Sequence, residues 1–502
     1  MSTVDYHLAV ELDAAISPER FRGAFPEEGA FVLEGGGASA RPSLDRASYM
    51  GAMPTATLRA RRTEARDDAG RTLATVLLSS GEELAAVDPF VALREFAADL
   101  ALTREACDDR YPFPFRAGVV GYIGYECGQT LERLPCVPRP SSGMPDMAFA
   151  LHRWVIATSR DTNASWLSIV GSGATRAAAR ADAEAIKAQI EARLAARPHE
   201  SPGARSRGSR SLRIDPGLSA ADYVERIAIA KGHIAAGDAF EICLTNQHRT
   251  PLARERAWPL FAELLRANPA PFAAFLDLPE GAIVSSSPER FLSLDADGTA
   301  ESRPIKGTRR RGRTAEEDVA LACELATSEK DRAENAMIVD LVRNDFGRVC
   351  RFGSITVPDL YVVEPYAAVH QLVSTVRGQL DAGRDRIELL RACFPPGSMT
   401  GAPKIEAMSI LEHLEPRERG VYSGALGWLD AGGAMDLSVV IRTVVVSGGT
   451  AAFSVGGAIV ADSVPDDELD ETRQKAHALV RALETVTLDT RHDAPAEMEP
   501  RV

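Results

Sequence analysis

Cysteine is scarce and shows no pairing pattern: seven residues in a chain of 502, widely scattered and nowhere spaced as CxxC. That excludes a disulfide framework and a zinc ribbon, and it fits a reducing compartment. No run approaches the roughly 18 uninterrupted apolar residues of a membrane-spanning helix. The opening MSTVDYHLAVELDA carries Asp5 and Glu11 where a signal peptide needs a basic and then an apolar stretch. A cytoplasmic protein with no membrane partner is expected. A basic excess is also missing, since 57 Lys+Arg against 71 Asp+Glu give a formal charge of −14. Nucleic acids and anionic membranes select positive faces, so neither is expected as a partner. No internal repeat and no Walker loop occur.

What remains is ordinary globular composition, 45% hydrophobic and 25% charged, with enough apolar surface for a large core. Composition shifts at residues 196–217, which are dense in Ser, Arg, Gly and Pro and read as a linker or exposed loop. This stretch separates an N-terminal region, 1–195, from a C-terminal region, 218–488. The last residues, 489–502, read as a frayed tail. Length alone predicts about two to four domains, but the chemistry-bearing residues crowd into 218–488, so two large interlocked units are expected.

Helix and strand signals alternate after the linker. Ser219 and Asp222 predict a capping box for a helix that stops at Gly237. Residues 239–245 alternate as a half-buried strand, and Thr314 and Ser328 open further helices. Val439–Val446 and Ala451–Val455 flank Ser447-Gly448-Gly449 as a hairpin. Helices and hairpins mix irregularly, so the fold class is α+β with substantial antiparallel sheet.

Two acidic pairs stand at i, i+3 in first turns: Asp331 with Glu334, and Glu468 with Glu471. Grouped hard oxygen ligands suit Mg²⁺, although acids at such positions more often only complement the helix dipole. The run RPIKGTRRRGR surrounds Lys306 with arginines, and like charges should lower its pKa toward a nucleophilic free amine; a solvated basic loop is the plainer alternative. PPGSMTGAPK (395–404) and Val455-Gly456-Gly457-Ala458 offer backbone N–H groups to an anion. Arg442, within the apolar VVIRTVVV, needs an anionic partner. Together these features indicate a small polyanionic substrate.

The ordered blocks FEICLTNQ, SSSPERF, RPIKGT, KDRAENAMIVDLVRND, HQLVSTVRG, PPGSMTGAPK, YSGALGW, DLSVVIRT, VGGAIVADS and DELDETRQKA resemble those of the chorismate-utilising enzymes, which form anthranilate, aminodeoxychorismate, isochorismate or salicylate. The resemblance runs from about 219 to 487 and implies a large sandwich of mainly antiparallel sheets. It implies Glu334 and Glu471 as Mg²⁺ ligands, with Glu468 and Asp331 beside them. Glu289 matches the acid that protonates the departing C4 hydroxyl. Tyr422 and Arg442 match carboxylate-binding positions, lined by Ser398, Thr308 and the Gly456, Gly457 and Ala458 backbone. Ala458 stands where glycine is common, and Asp331 where glutamate is usual. Gln371 occupies the place of a pocket histidine in several relatives, with His370 preceding it; neighbouring strand residues face opposite ways.

Lys306 in PIKGT implies the C4-aminating branch. Replacing the hydroxyl by an amine on the same face takes two displacements, with Lys306 attacking C2 first and ammonia then adding at C4. The product would serve 4-aminobenzoate and folate synthesis. Glu241 stands where water-activating relatives carry lysine, which disfavours them. The C2-aminating, anthranilate-forming branch is the alternative, and a non-catalytic chorismate- or tryptophan-binding regulator a further one. Glu126-Cys127-Gly128-Gln129 lacks the framing of a glutaminase nucleophile, so ammonia from a separate glutaminase subunit is expected. In the N-terminal region, regulatory and scaffolding by this resemblance, LEGGG (33–37) resembles a degraded tryptophan-binding motif.

Overall fold

The computed structural model describes residues 4–35, 47–103, 106–196, 212–367 and 369–488. Most of the 196–217 stretch, the 489–502 tail and Gly36-Gly37 of LEGGG therefore lie outside the described residues.

Apolar alternation along the strands sets the layering. In the strand Trp154–Ser159, Trp154 and Ile156 join one core cluster while Val155 and Ala157 join another. Phe272–Leu278 splits in the same way, with Ala273 and Phe275 on one side and Ala274 and Leu276 on the other. A strand with period 2 and two apolar faces must be covered twice. One face packs against a second sheet and the other under helices. Each wholly buried Phe or Leu in these layers contributes about 1.5–3 kcal/mol.

Two 12-stranded sheets result, and every strand pairing among the described residues is antiparallel. Helices Arg176–Ala195, Ala257–Ala267 and Pro465–Leu488 cover the outer face of the first sheet, while Pro89–Ala98, Glu329–Gly347 and Arg386–Cys393 cover that of the second. The expected antiparallel α+β sandwich is the fold observed. Each sheet draws on both sides of the 196–217 stretch. In the first, Phe31–Glu34 pairs with Phe272–Leu278; in the second, Gly118–Ile123 pairs with Ala425–Asp430. Among the described residues no helix is long and apolar enough to cross a membrane.

Local signals held where side chains meet the backbone directly. Ser219 and Asp222 close a capping box, and Gly237 ends that helix at φ 86°, a left-handed conformation that glycine adopts without a Cβ clash. Thr314 and Ser328 cap the helices Ala315–Thr327 and Glu329–Gly347. The strand expected over 239–245 runs instead from Glu241 to Pro251.

One expectation is corrected. Val439–Val446 is not a single strand, and Arg442 does not lie in one. Met435–Val439 belongs to the second sheet and Thr443–Ser447 to the first, and the chain crosses between them with Arg442 at φ 49°. A second crossing lies beside it, from Gly281–Ser287 of the first sheet to Arg290–Leu294 of the second. Ser287 Oγ donates to the Val439 carbonyl at 2.6 Å, and the Val439 N–H donates to the Glu289 carbonyl at 3.0 Å. Those bonds lock the two crossings together.

Candidate active site

Glu289 and Arg442 each sit on one of these paired crossings, which is how a carboxyl and a guanidinium come to share a buried space. Glu289 is 5% exposed and accepts a hydrogen bond from Ser398 Oγ at 2.9 Å. Burial pushes its carboxyl up to about 7, against the opposing pull of Ser398, Lys306 and Arg442. Such a group holds a proton near neutrality and releases it readily. The Arg442 guanidinium makes no hydrogen bond or ion pair among the described residues. Burial lowers its pKa, and Glu289 is the carboxylate that opposes this. A half-buried cation without a bonded partner is poised for an anion. Tyr422 is buried, and the next residue, Ser423 at φ 66°, donates its N–H to the Val440 carbonyl on the Arg442 crossing at 2.8 Å.

Lys306 lies on the strand Ile305–Arg310, where Gly307 at φ 84° interrupts the pairing with Val369–Gln379. A Cβ on Gly307 would stand 2.7 Å from the Asp331 carboxyl carbon, so a side chain there would collide. The Lys306 ammonium donates to Glu241 Oε1 at 2.8 Å and stands 3.9 Å from Glu334 Oε2. Here the sequence expectation fails: the Lys306 pKa is raised, not lowered. Burial alone would lower it, but the Glu241 and Glu334 carboxylates outweigh burial. The neighbouring arginines exert no such influence because acids on the following helices take them up. Arg309 pairs with Glu324 and Asp331, Arg310 with Glu317, and Arg311 with Asp318.

The two acidic pairs converge in part. Glu334, Glu468 and Glu471 gather round the Lys330 ammonium, which lies 3.5 Å from Glu468 and 3.9 Å from Glu334 and feels Glu471 electrostatically. Glu468 also accepts from Ser463 Oγ at 2.7 Å, and Glu471 pairs with Lys475 at 2.7 Å. Burial pushes Glu334 up to about 7 although Lys306 opposes it. Asp331 is held apart by Arg309 at 3.1 Å. Among the described residues no three acids, histidines or cysteines already surround one point closely enough to share an ion. The donor chemistry nonetheless fits Mg²⁺, because these carboxylates already collect around a single positive charge.

Gly456, Gly457 and Ala458 pair with Thr245, Leu244 and Cys243. A Cβ on Gly456 would meet the Leu244 carbonyl at 2.3 Å, and one on Gly457 would meet Glu468 at 2.9 Å. His370 is turned away, its Nε2 2.9 Å from Asp318. Gln371 pairs in register with Thr308, whose residue is exposed, and its buried Oε1 has no hydrogen-bond partner. Sequence reasoning missed the Lys306–Glu241 bond, which joins strands far apart in the chain. It also missed Lys330, although a lysine four residues before Glu334 is a readable signal.

Glu126 of GYIGYECG is also accounted for. Its buried carboxylate accepts the backbone N–H groups of Arg419 and Gly420, a structural anchor.

Comparison with known proteins agrees with this geometry. Residues 48–481 match the model of the family described as chorismate binding enzyme. Aminodeoxychorismate synthase of Streptomyces griseus is 45% identical over 74% of this chain and 51% of its own length, so the chain spans about half of that relative. Aminodeoxychorismate synthase component 1 of Escherichia coli is 39% identical, covering 74% of this chain and 78% of its own. Among solved structures, anthranilate synthase component I of Streptococcus pneumoniae superposes with a TM-score of 0.72 at 27% identity, over 87% of this chain and 92% of that one. With the family model spanning most of the sequence, and Glu289, Lys306 and Arg442 meeting in one buried site, the chain belongs to the chorismate binding enzymes.

Proposed function

We propose that this chain aminates chorismate at C4 to give 4-amino-4-deoxychorismate. The observation that carries the reading is the buried Lys306, bonded to an acceptor and reaching into the space that Glu289 and Arg442 share. Its resemblance to the synthases named above supports the same substrate. Arg442 and Tyr422 bind a substrate carboxylate, which supplies the anion that the guanidinium lacks. Lys306 starts as an ammonium and passes a proton to Glu241 along their hydrogen bond. The freed amine attacks C2, the ring double bonds shift, and the C4–O bond breaks as Glu289 protonates the departing hydroxyl to water. Ammonia then forms a bond to C4 while the C2–N bond breaks and Lys306 leaves as a free amine. Glu241 returns the lysine proton, and Glu289 takes the surplus proton from the new C4 ammonium. Both groups end as they began.

Glu334, Glu468 and Glu471 would hold Mg²⁺, which when bound supplies positive charge to a substrate carboxylate. Titration calorimetry should detect Mg²⁺ binding that Glu334→Gln weakens by roughly tenfold or more; unchanged affinity would remove Glu334 from the site. Ammonia comes from a separate glutaminase subunit, and the free cysteines support a cytoplasmic setting. The product is a precursor of 4-aminobenzoate and folate.

The test is product identity. Chorismate, Mg²⁺ and ammonium should yield 4-amino-4-deoxychorismate, and Lys306→Ala should abolish it in a protein that still folds. Anthranilate as the product would replace this reading with C2 amination, the activity named for the pneumococcal structural neighbour. Amination by Lys306→Ala at the wild-type rate would refute the lysine's covalent role.

A further inference from the structure

A second cavity lies behind Glu289. Its volume is about 20 Å³, room for a molecule the size of water, and it shares only Glu289 and Ser398 with the site residues described above. Its walls are mainly apolar, with Phe291, Ile338, Val342, Phe346, Cys393 and Val439 among them. Two other charged groups line it, and both are neutralised: Arg290 pairs with Asp436 at 2.8 Å, and Asp345 with Lys404 at 2.8 Å. Glu289 is the one lining acid or base outside an ion pair. Such walls disfavour an ammonium ion, whose desolvation they cannot repay, but admit a small neutral molecule.

Stereochemistry says which molecule. This argument rests on the C4-amination reading, in which the incoming nitrogen adds on the face that the hydroxyl left. Glu289 protonates that hydroxyl, so the nitrogen must approach from the Glu289 side. We infer that neutral ammonia occupies this cavity and adds to C4 from it, beside Glu289. Its lone pair forms the C4–N bond as the C2–N bond to Lys306 breaks, and the C4 ammonium then gives one proton to the Glu289 carboxylate. An apolar antechamber also limits water at C4, where attack by water on the lysine adduct would only regenerate chorismate.

Val342 lies on the helix Glu329–Gly347 and touches neither Lys306 nor the acids around Lys330 in any hydrogen bond or ion pair. Val342→Phe fills the cavity. With ammonium as the nitrogen source, the KM for ammonia should rise roughly tenfold or more while the KM for chorismate changes little. The Lys306 adduct, detected by intact mass after acid quench, should still form and should accumulate. Because added volume in a packed core is itself destabilising, Val342→Leu provides a milder variant with the same expected direction. An unmoved ammonia KM in folded Val342→Phe, or in folded Val342→Leu where the larger side chain prevents folding, overturns the inference. Failure of the wild-type chain to make 4-amino-4-deoxychorismate at all would instead sink the parent reading, so the two failures are distinguishable.

Discussion

Two arginines, 23 positions apart, one buried and one half-buried, occupy opposite electrostatic situations. Arg419 donates to both Glu415 oxygens at 2.7 and 2.8 Å and to the carbonyls of Met399 and Cys243 at 2.6 and 2.7 Å. It also lies 4.3 Å from the centroid of the Tyr125 ring. Burial opposes its charge, but Glu415 more than compensates and raises its pKa. Arg442 has no such partners, and burial lowers its pKa. Satisfied, a guanidinium fixes architecture: Arg419 ties Glu415, and through it Thr245, to the strand that pairs with Gly456. Unsatisfied, it is left open to an anion. Residue type is shared and both are at least half-buried, so the hydrogen-bond ledger is the larger difference between them.

That contrast breaks if the two arginines respond alike to removal. Arg419→Ala leaves Glu415 buried without its cation and should cost about 3–5 kcal/mol of stability, read as a lowered denaturant midpoint. A loss confined to activity would mean that Arg419 is not an architectural group. Arg442→Ala should leave the midpoint unchanged or raise it, since a half-buried charge without a bonded partner disappears. Its cost falls on chorismate, as a loss in kcat/KM of roughly 10- to 150-fold, corresponding to about 1.5–3 kcal/mol for a charged hydrogen bond. The pH profile sharpens the contrast further. With Glu289 at about 7, turnover that needs its proton declines as pH rises through that value. Arg442 favours the ionised carboxylate, so Arg442→Ala should move the decline to higher pH. A profile unmoved by Arg442→Ala would show that the two groups do not share a field.

Local chemistry was legible in the sequence and spatial pairing was not. The caps at Ser219, Thr314 and Ser328 act over three residues and were readable from residue types, as was the α+β class from irregular alternation. Ordered motifs pointed to Glu289, Lys306 and Arg442, and the fold gathers them. The charge state of Lys306 was misread because its arginine neighbours in sequence are neutralised by acids further along. The group that governs it, Glu241, is separated from it by 65 positions and a change of sheet. Arg442 was read as needing an anionic partner but was misplaced, since an apolar run looks the same whether it remains in one strand or crosses between two sheets. Asp331 was set beside the metal-site acids at a position where glutamate is usual, and Arg309 claims it.

The interleaving of strands has a consequence for how this chain can be divided. Made without residues 1–195, the 218–488 region would lose Phe31–Glu34 from beside Phe272–Leu278 and Gly118–Ile123 from beside Ala425–Asp430. Two raw sheet edges would open, one in each layer, and each is a template for pairing with other chains. The candidate site residues thus form a module on paper only. A working fragment must keep both halves, because a cut at the composition break would separate strands that pair.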